Sequence, residues 1–499
     1  VTDAKADSLV LRHKAPTRSA RRPADWPGDA ALILPPFILV FGAILDFGAA
    51  WNEPALFCAA LQSAWALGLT IYYLPRSKPL RLSGLQIAAA TAFAALLIWS
   101  LITLTPFGRF GVPQVWRLIG SPGALTVDRA ATQIEIFKLA GLGAMVLAGL
   151  AIAQVERRAD RAINLLLWAG VLYAIWAISS FADNAAFVLG REKHYHVDRL
   201  TGSFFSANTA ASLFGVLALV AWITALRNVR GLIRAGRIDL VRPSRQLIEA
   251  LLRFAMTGLF WVALLLTISR AAFVATGLCL VLVTVVELVE MLGRRQVAAG
   301  KIIGYTAPVV LGMIVLFAAT IGQRFVSQFS ALGADKDVRS AIFDTYVHAI
   351  EGAPLPGFGL GSFRAVNGSL IDDANFAVLW NLGAAHNIYL QWLLEGGIIG
   401  AGLMAIAMLL MLADVAGRRI GGETGRTRAT IALMVSALLL LHNAVDYSIQ
   451  VPAIAALWAL LLGLGAGVSS RAERRASSGS GSTSRRGGRQ DGGAPGSGA

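Results

Sequence analysis

The stretch Phe254–Leu292 reads FAMTGLFWVALLLTISRAAFVATGLCLVLVTVVELVEML, an apolar run broken midway by Ser269-Arg270. A hydrocarbon core of about 30 Å takes roughly 20 apolar residues per helix. The stretch is therefore too long for one span and reads as two, joined at a hairpin tip that Ser269-Arg270 occupies. The same criterion applied to the whole chain gives about twelve spans. They lie near Ala31–Ala50, Pro54–Leu74, Leu85–Leu104, Thr132–Ala153, Ala162–Ala182, Asn208–Leu226, Phe254–Ile268, Ala271–Leu292, Ile302–Ile321, Asn387–Leu412, Ala429–Leu441 and Ala453–Gly467.

Composition agrees. Of 499 residues, 56% are hydrophobic and 15% charged, against roughly 45–50% and about 25% in soluble globular proteins. A soluble protein is excluded, and an all-α polytopic bundle with one large outer loop before the tenth helix is expected. The net charge of +15 comes from 44 Lys and Arg against 29 Asp and Glu. With the N-terminus placed in the cytoplasm, 32 of the Lys and Arg lie in cytoplasmic segments and 11 in outer ones, Lys138 falling inside the fourth span. This bias is the positive-inside pattern, so topology accounts for the charge and nothing calls for nucleic acid. Both termini are then cytoplasmic, and the run Arg227, Arg230, Arg234 and Arg237 reads as a membrane anchor. Cys58 and Cys279 lie in apolar runs and suggest neither a disulfide framework nor a metal site.

The division expected is a basic tail over 1–28, a twelve-span domain over 29–468 that includes the large loop 322–386, and a disordered tail over 469–499, rich in Gly and Ser. The tail at 1–28 lacks the apolar core of a signal peptide, so the first hydrophobic segment is expected to insert as a span.

Charges that topology leaves unexplained are the functional candidates. Arg199 precedes a Gly, Ser and Asn cluster, Thr201 to Asn208, that leads into the sixth span. Arg270 stands at a hairpin tip, with an interfacial anchor as its competing reading. Arg339 opens a segment whose Ile342, Phe343, Tyr346, Val347 and Ile350 share a helical face. A cation on that face calls for an anion nearby, either a ligand or Asp335 or Asp337. His386-Asn387 stands where the large loop re-enters the membrane, with Glu395 about 13 Å further along the same helix. A histidine there suits a general base, or simply a hydrogen-bonded interfacial role. His442 and Asp446 add a second His and acid on the same side, as acceptor contacts or as caps of a turn.

The Gly-rich run Pro354–Phe363 follows no strand and opens no βαβ unit, so it is not a nucleotide loop. It is expected to shape a loop over a cavity, with amides free to approach a phosphate. Asn367-Gly-Ser369 matches a glycosylation sequon. His194, His196 and Asp198 lack a clear fourth ligand for a metal.

In this order and frame, the motifs Arg199 to Phe204, Ser269-Arg270, Arg339 with Pro354–Phe363, His386-Asn387 with Glu395, and His442 to Pro452 resemble the O-antigen ligase and O-antigen polymerase superfamily of bacterial inner-membrane glycosyltransferases. The resemblance covers about residues 30 to 467. It implies transfer of a glycan from undecaprenyl diphosphate to a hydroxyl at the periplasmic face, without nucleotide sugar, metal or other cofactor. Arg199, Arg270 and Arg339 are then expected to hold the diphosphate. His386, with Arg270, is expected to be catalytic, while Asn387, Glu395, Asn208, His442 and Asp446 support them. The acceptor implied is lipid A-core for a ligase or a growing glycan for a polymerase, with membrane lipids as the other partners. A twelve-span transporter or lipid-linked sugar flippase is the reading from a different class, although the midplane acids and pseudo-repeat of transporters are not evident.

Overall fold

The apolar runs fold as helices whose ends fall where the sequence supplies caps or breakers. In a computed structural model, residues 26–73, 80, 82–107, 113–235, 243–293, 332–419 and 423–467 are described. The elements are α1 Trp26–Leu45, α2 Asn52–Tyr73, α3 Gly84–Thr103, α4 Gln114–Leu118, α5 Arg129–Ala153, α6 Glu156–Asp183, α7 Ala207–Ala235, α8 Arg245–Leu266, α9 Arg270–Gly293, α10 Leu332–Glu351, α11 Phe363–Leu370, α12 Phe376–Leu379, α13 Ile388–Arg418, α14 Glu423–His442 and α15 Pro452–Ala466. A two-residue hairpin, β1 Phe187–Val188 against β2 Arg191–Glu192, lies between α6 and α7. Ser83 closes a capping box with Gln86 at the start of α3, while Asp128, Ser244 and Asn387 accept backbone amides at the starts of α5, α8 and α13.

Among the described residues, nine helices are long and apolar enough to cross a membrane: α1, α2, α3, α5 to α9 and α13. Helix α15, at 15 residues, is shorter, and α14 carries Arg426 and Arg428 in its first turns. The chain is thus an all-α polytopic membrane bundle. All the expected spans but one coincide with helices; Ile302–Ile321 lies outside the described residues. The first is shorter at its end than expected. It stops at Leu45, because Asp46 and Gly48 break the run and Phe47–Ala49 forms a separate turn.

Every residue of α15 after Pro452 is buried, as an element apolar on all sides must be when it occupies a bundle's centre. It meets α5 backbone to backbone. A Cβ on Gly463 would come within 2.1 Å of the Val146 carbonyl, and one on Gly149 within 2.4 Å of the Leu460 carbonyl. Small residues permit this approach, which supplies the packing that association in lipid relies on.

The arginine-rich ends of the helices correct one expectation. Arg227 pairs with Asp160 at 2.7 Å, and Arg230 is buried against Glu287 of α9. Both lie in interhelical ion pairs instead of anchoring headgroups, because acids on α6 and α9 stand opposite them; Arg237 lies outside the described residues. Asp29 of α1 is likewise buried among Arg157, Arg158 and Arg161 of α6, and Arg419 reaches Glu290 at 3.0 Å.

On the opposite face, α10 to α12 build a small second core on the first turns of α13, from Ile342, Tyr346, Phe363, Val366, Leu379, Leu390 and Leu394. The helical face expected in α10 is narrower than drawn, since Val347 is exposed.

The α5–α15 contact is open to test. Gly463→Val is expected to destabilise the protein by about 1–3 kcal/mol, seen as a lowered unfolding temperature in detergent. Gly258→Ala, where nothing lies within 4 Å of the new methyl, is expected to leave the transition in place.

Candidate functional site

The entry to α7 is held from several sides. Leu200 donates its amide to the Leu266 carbonyl at 2.9 Å, which ties the residue after Arg199 to the end of α8. Arg270 opens α9 four residues later, after Ile268 at φ 55° and a buried Ser269. The two arginines expected to share a diphosphate therefore sit on adjoining segments. Lys193, itself buried, donates to the carbonyls of His196 at 3.2 Å and Arg199 at 3.0 Å. Gly202 is required at φ 59°, since a Cβ there would strike the Tyr173 hydroxyl at 2.3 Å; that hydroxyl accepts the Ser203 amide. Burial and the neighbouring Arg199 push the His196 imidazole below its ordinary range, so it is neutral at pH 7.

The turn between α14 and α15 supplies the second half. Asp446 is buried, and its carboxylate accepts from Asn208 Nδ2 at 3.2 Å and from the Ser448 amide at 3.1 Å. Ser212, one turn beyond Asn208 on α7, bonds His442 Nδ1 at 2.8 Å and Ser448 Oγ at 2.7 Å. His442 Nε2 is buried without a hydrogen-bond partner among the described residues. Tyr447 shares a hydrogen bond with Ser206, and burial together with the Asp446 charge pushes its phenol up. Against that ring the His386 imidazole stands edge-on, centroids 5.0 Å apart and planes at 87°. His386 sits at φ 53°, directly before the α13 cap and two residues before Ile388, whose amide donates to the Asn443 carbonyl at 3.0 Å.

The structure thus brings His386, Asn208, His442 and Asp446 into one cluster and places Arg199 beside the Arg270 turn. It does not bring in Glu395. That side chain is buried in α13 and accepts from the Gly361 amide at 2.9 Å and from Gln391 Nε2 at 2.9 Å. The Gly-rich run wraps it: the Phe358 and Gly359 amides donate to the Leu394 and Glu395 carbonyls at 3.0 and 2.8 Å. Gly357 approaches Gly397, where α13 is interrupted at φ 60°, so closely that a Cβ on either would meet the other's amide nitrogen at 2.4 Å. The expectation that this run offers free amides to a phosphate is corrected, because Gly357, Phe358, Gly359 and Gly361 all spend theirs inside the protein.

Asn387 is the α13 cap, its Oδ1 accepting the amides of Tyr389 at 3.0 Å and Leu390 at 3.1 Å. Arg339 lies in α10, and its side chain falls outside the described residues. The sequon asparagine, Asn367, is buried, accepting from Tyr346 Oη at 2.6 Å and donating to the Leu379 carbonyl at 2.9 Å. It is not presented for modification. Among the described residues, no group of three or more His, Cys, Asp or Glu is placed to hold a metal ion.

Ser212, Ser448 and Lys193 were not singled out by sequence. For Ser212 a signal existed: it falls four residues after Asn208, on the same helical face.

No curated protein matches the chain. Residues 255–405, a stretch that holds Arg270, Arg339, His386 and Glu395, match the family model described as O-antigen ligase. That segment is therefore similar to the O-antigen ligase family, and it lies within the part of the chain that carries most of the candidate site residues.

Proposed function

We propose that the chain is a ligase which moves a glycan from undecaprenyl diphosphate onto a hydroxyl of lipid A-core. It would work at the periplasmic face of the bacterial inner membrane, with both termini in the cytoplasm. The observation that supports this most directly is the joining of Arg199 to the Arg270 turn through the Leu200–Leu266 hydrogen bond, on the same face as His386.

A diphosphate leaving group departs as an anion and needs cations where its charge develops. Arg199 and Arg270 offer permanent charge in bidentate geometry, and Arg339 is proposed as a third. In solution at neutral pH the acceptor hydroxyl is a poor nucleophile. His386 is proposed to take its proton as the C–O bond to the sugar forms and the bond to the diphosphate breaks; such a base is worth about 10² to 10⁴ in rate. The buried Asn208–Asp446–Ser448 network fixes the turn that carries Tyr447, and Tyr447 orients the imidazole. No step in this scheme calls for a metal.

Arg270→Ala is expected to abolish transfer by purified protein while membrane insertion is retained, and Arg270→Lys to restore little of it, because an ammonium lacks the planar fork. Wild-type turnover in Arg270→Ala removes Arg270 from the site, and wild-type turnover in Arg270→Lys defeats the bidentate contact. His386→Ala is expected to lower kcat by about 10² or more with donor KM little changed; an unchanged kcat defeats the base assignment. Transfer by the wild type is expected to continue in excess chelator and to yield one added glycan only when lipid A-core is present. A ladder grown from donor alone would make the protein a polymerase.

A further inference from the structure

Between α1 and α2, Phe47, Gly48 and Ala49 lie in succession at φ 50°, 78° and 55°. Three successive left-handed residues, two of them not glycine, persist only where packing enforces them. The packing here is tight: a Cβ on Gly48 would meet Val451 Cγ1 at 2.5 Å and the Phe204 ring at 2.9 Å. The turn delivers an aromatic cluster. Phe47 stacks on Phe205 with centroids 4.8 Å apart, and Trp51 stands 5.2 Å from Phe47 and 5.0 Å from Phe205. The Arg191 guanidinium, brought in by β2, lies 5.1 Å from the Phe47 ring centre and 4.9 Å from that of Trp51. Phe47 is buried beneath, whereas Trp51 is 39% and Phe205 41% exposed.

The cluster also adjoins the candidate site. This turn packs over Val451, at the start of the central helix α15, and Phe205 precedes Ser206, the hydrogen-bond partner of Tyr447 beside His386. The cluster is therefore a floor next to the site, with two open rings and a guanidinium at its edge.

We propose that Trp51, Phe205 and Arg191 form a sugar-stacking subsite for the glycan of the lipid-linked donor. The inference rests on the functional reading above and deepens it. The C–H face of a pyranose carries partial positive charge and fits the negative face of an aromatic ring. Trp51 and Phe205 keep part of their ring surface exposed, and Phe205 directly precedes Ser206, which bonds Tyr447 next to His386. Arg191 has donors left for ring hydroxyls at the edge of the platform. Stacking reads ring shape more than identity, so the subsite serves a pyranose of any one repeat.

The test is binding by full-length protein in nanodiscs, with two probes: undecaprenyl diphosphate carrying a trisaccharide, and sugar-free undecaprenyl diphosphate. Trp51→Ala and Phe205→Ala are each expected to weaken binding of the glycosylated lipid about ten-fold and to leave the sugar-free lipid unchanged. Trp51→Phe is expected to keep most of the affinity. Equal loss for both lipids, or no loss for either, overturns the subsite and makes the rings a contact for the polyprenyl tail or the bilayer. Turnover measured on the same wild-type preparation judges the functional reading separately: absence of transfer defeats that reading, while the contrast between the two lipids decides the subsite.

Discussion

One fully buried side chain, Asn443, joins the three helices that meet at the site. Its amide donates to Leu439 of α14 at 3.0 Å, and its carbonyl accepts from Ile388 at the start of α13 at 3.0 Å. Its Oδ1 accepts the Ile449 amide at 2.9 Å, and its Nδ2 donates to the Leu439 carbonyl at 2.8 Å and to Ser448 Oγ at 3.1 Å. All of its backbone and side-chain polar groups are therefore bonded. In a membrane protein an unmet group costs several kcal/mol, so a residue that closes its own ledger while binding α13, α14 and the turn before α15 fixes their relative positions. Removing its amide would strand the Ile449 N–H in a region closed to water and leave the Ser448 hydroxyl with Ser212 alone.

The remaining geometry follows from that junction. Ile388 is pinned to Asn443, and Asn387 caps the helix that begins there, so the chain must turn at His386. It does so at φ 53°, a left-handed conformation that histidine tolerates better than bulky or β-branched residues. The imidazole is thereby directed at Tyr447, on the same turn as Asp446 and Ser448. The Ser212 hydroxyl links this turn to α7, and the α7 entry is tied in turn to the end of α8. A continuous set of hydrogen bonds thus runs from the segment of Arg199 and Arg270 to that of His386. Each member is anchored on a helix end, where backbone breaks in lipid are tolerated.

The fold was legible in sequence because its signal is local: twenty apolar residues read the same wherever they stand, and Ser269-Arg270 marked a turn that the structure retains. What escaped was pairing between distant segments. Arg230 looked like an anchor from its neighbours on one helix, and only the approach of α9 sets Glu287 against it. Glu395 shared a helix with His386 and looked like a partner, but the Gly-rich run returns to α13 and takes its carboxylate for the Gly361 amide. The amides of that run were judged free because nothing local satisfied them. Ser212 carried the right spacing from Asn208, yet a serine among alanines and leucines in a span has many bland explanations until His442 is placed beside it.

The arginines of the two faces differ in how firmly they are held, and that difference bears on chemistry. On the arginine-rich face, Asp29 and Glu287 are buried, and breaking such a pair by removing one partner leaves an uncompensated charge, with a penalty of about 3–5 kcal/mol. Those cations are fixed to the fold. On the opposite face, the ion pair seen for Arg199 is with Asp198, at 3.7 Å, with side chains 33% and 72% exposed. A pair of that kind is worth about 1 kcal/mol or less. The diphosphate proposed above, with more charge and more acceptor oxygens than one exposed carboxylate, would displace Asp198 at little cost, while Lys193 and the Leu200–Leu266 bond keep the backbone of Arg199 where it is. A rigid backbone carrying a weakly held guanidinium is the arrangement a phosphate site needs, because the cation is then preorganised in place without being neutralised in advance.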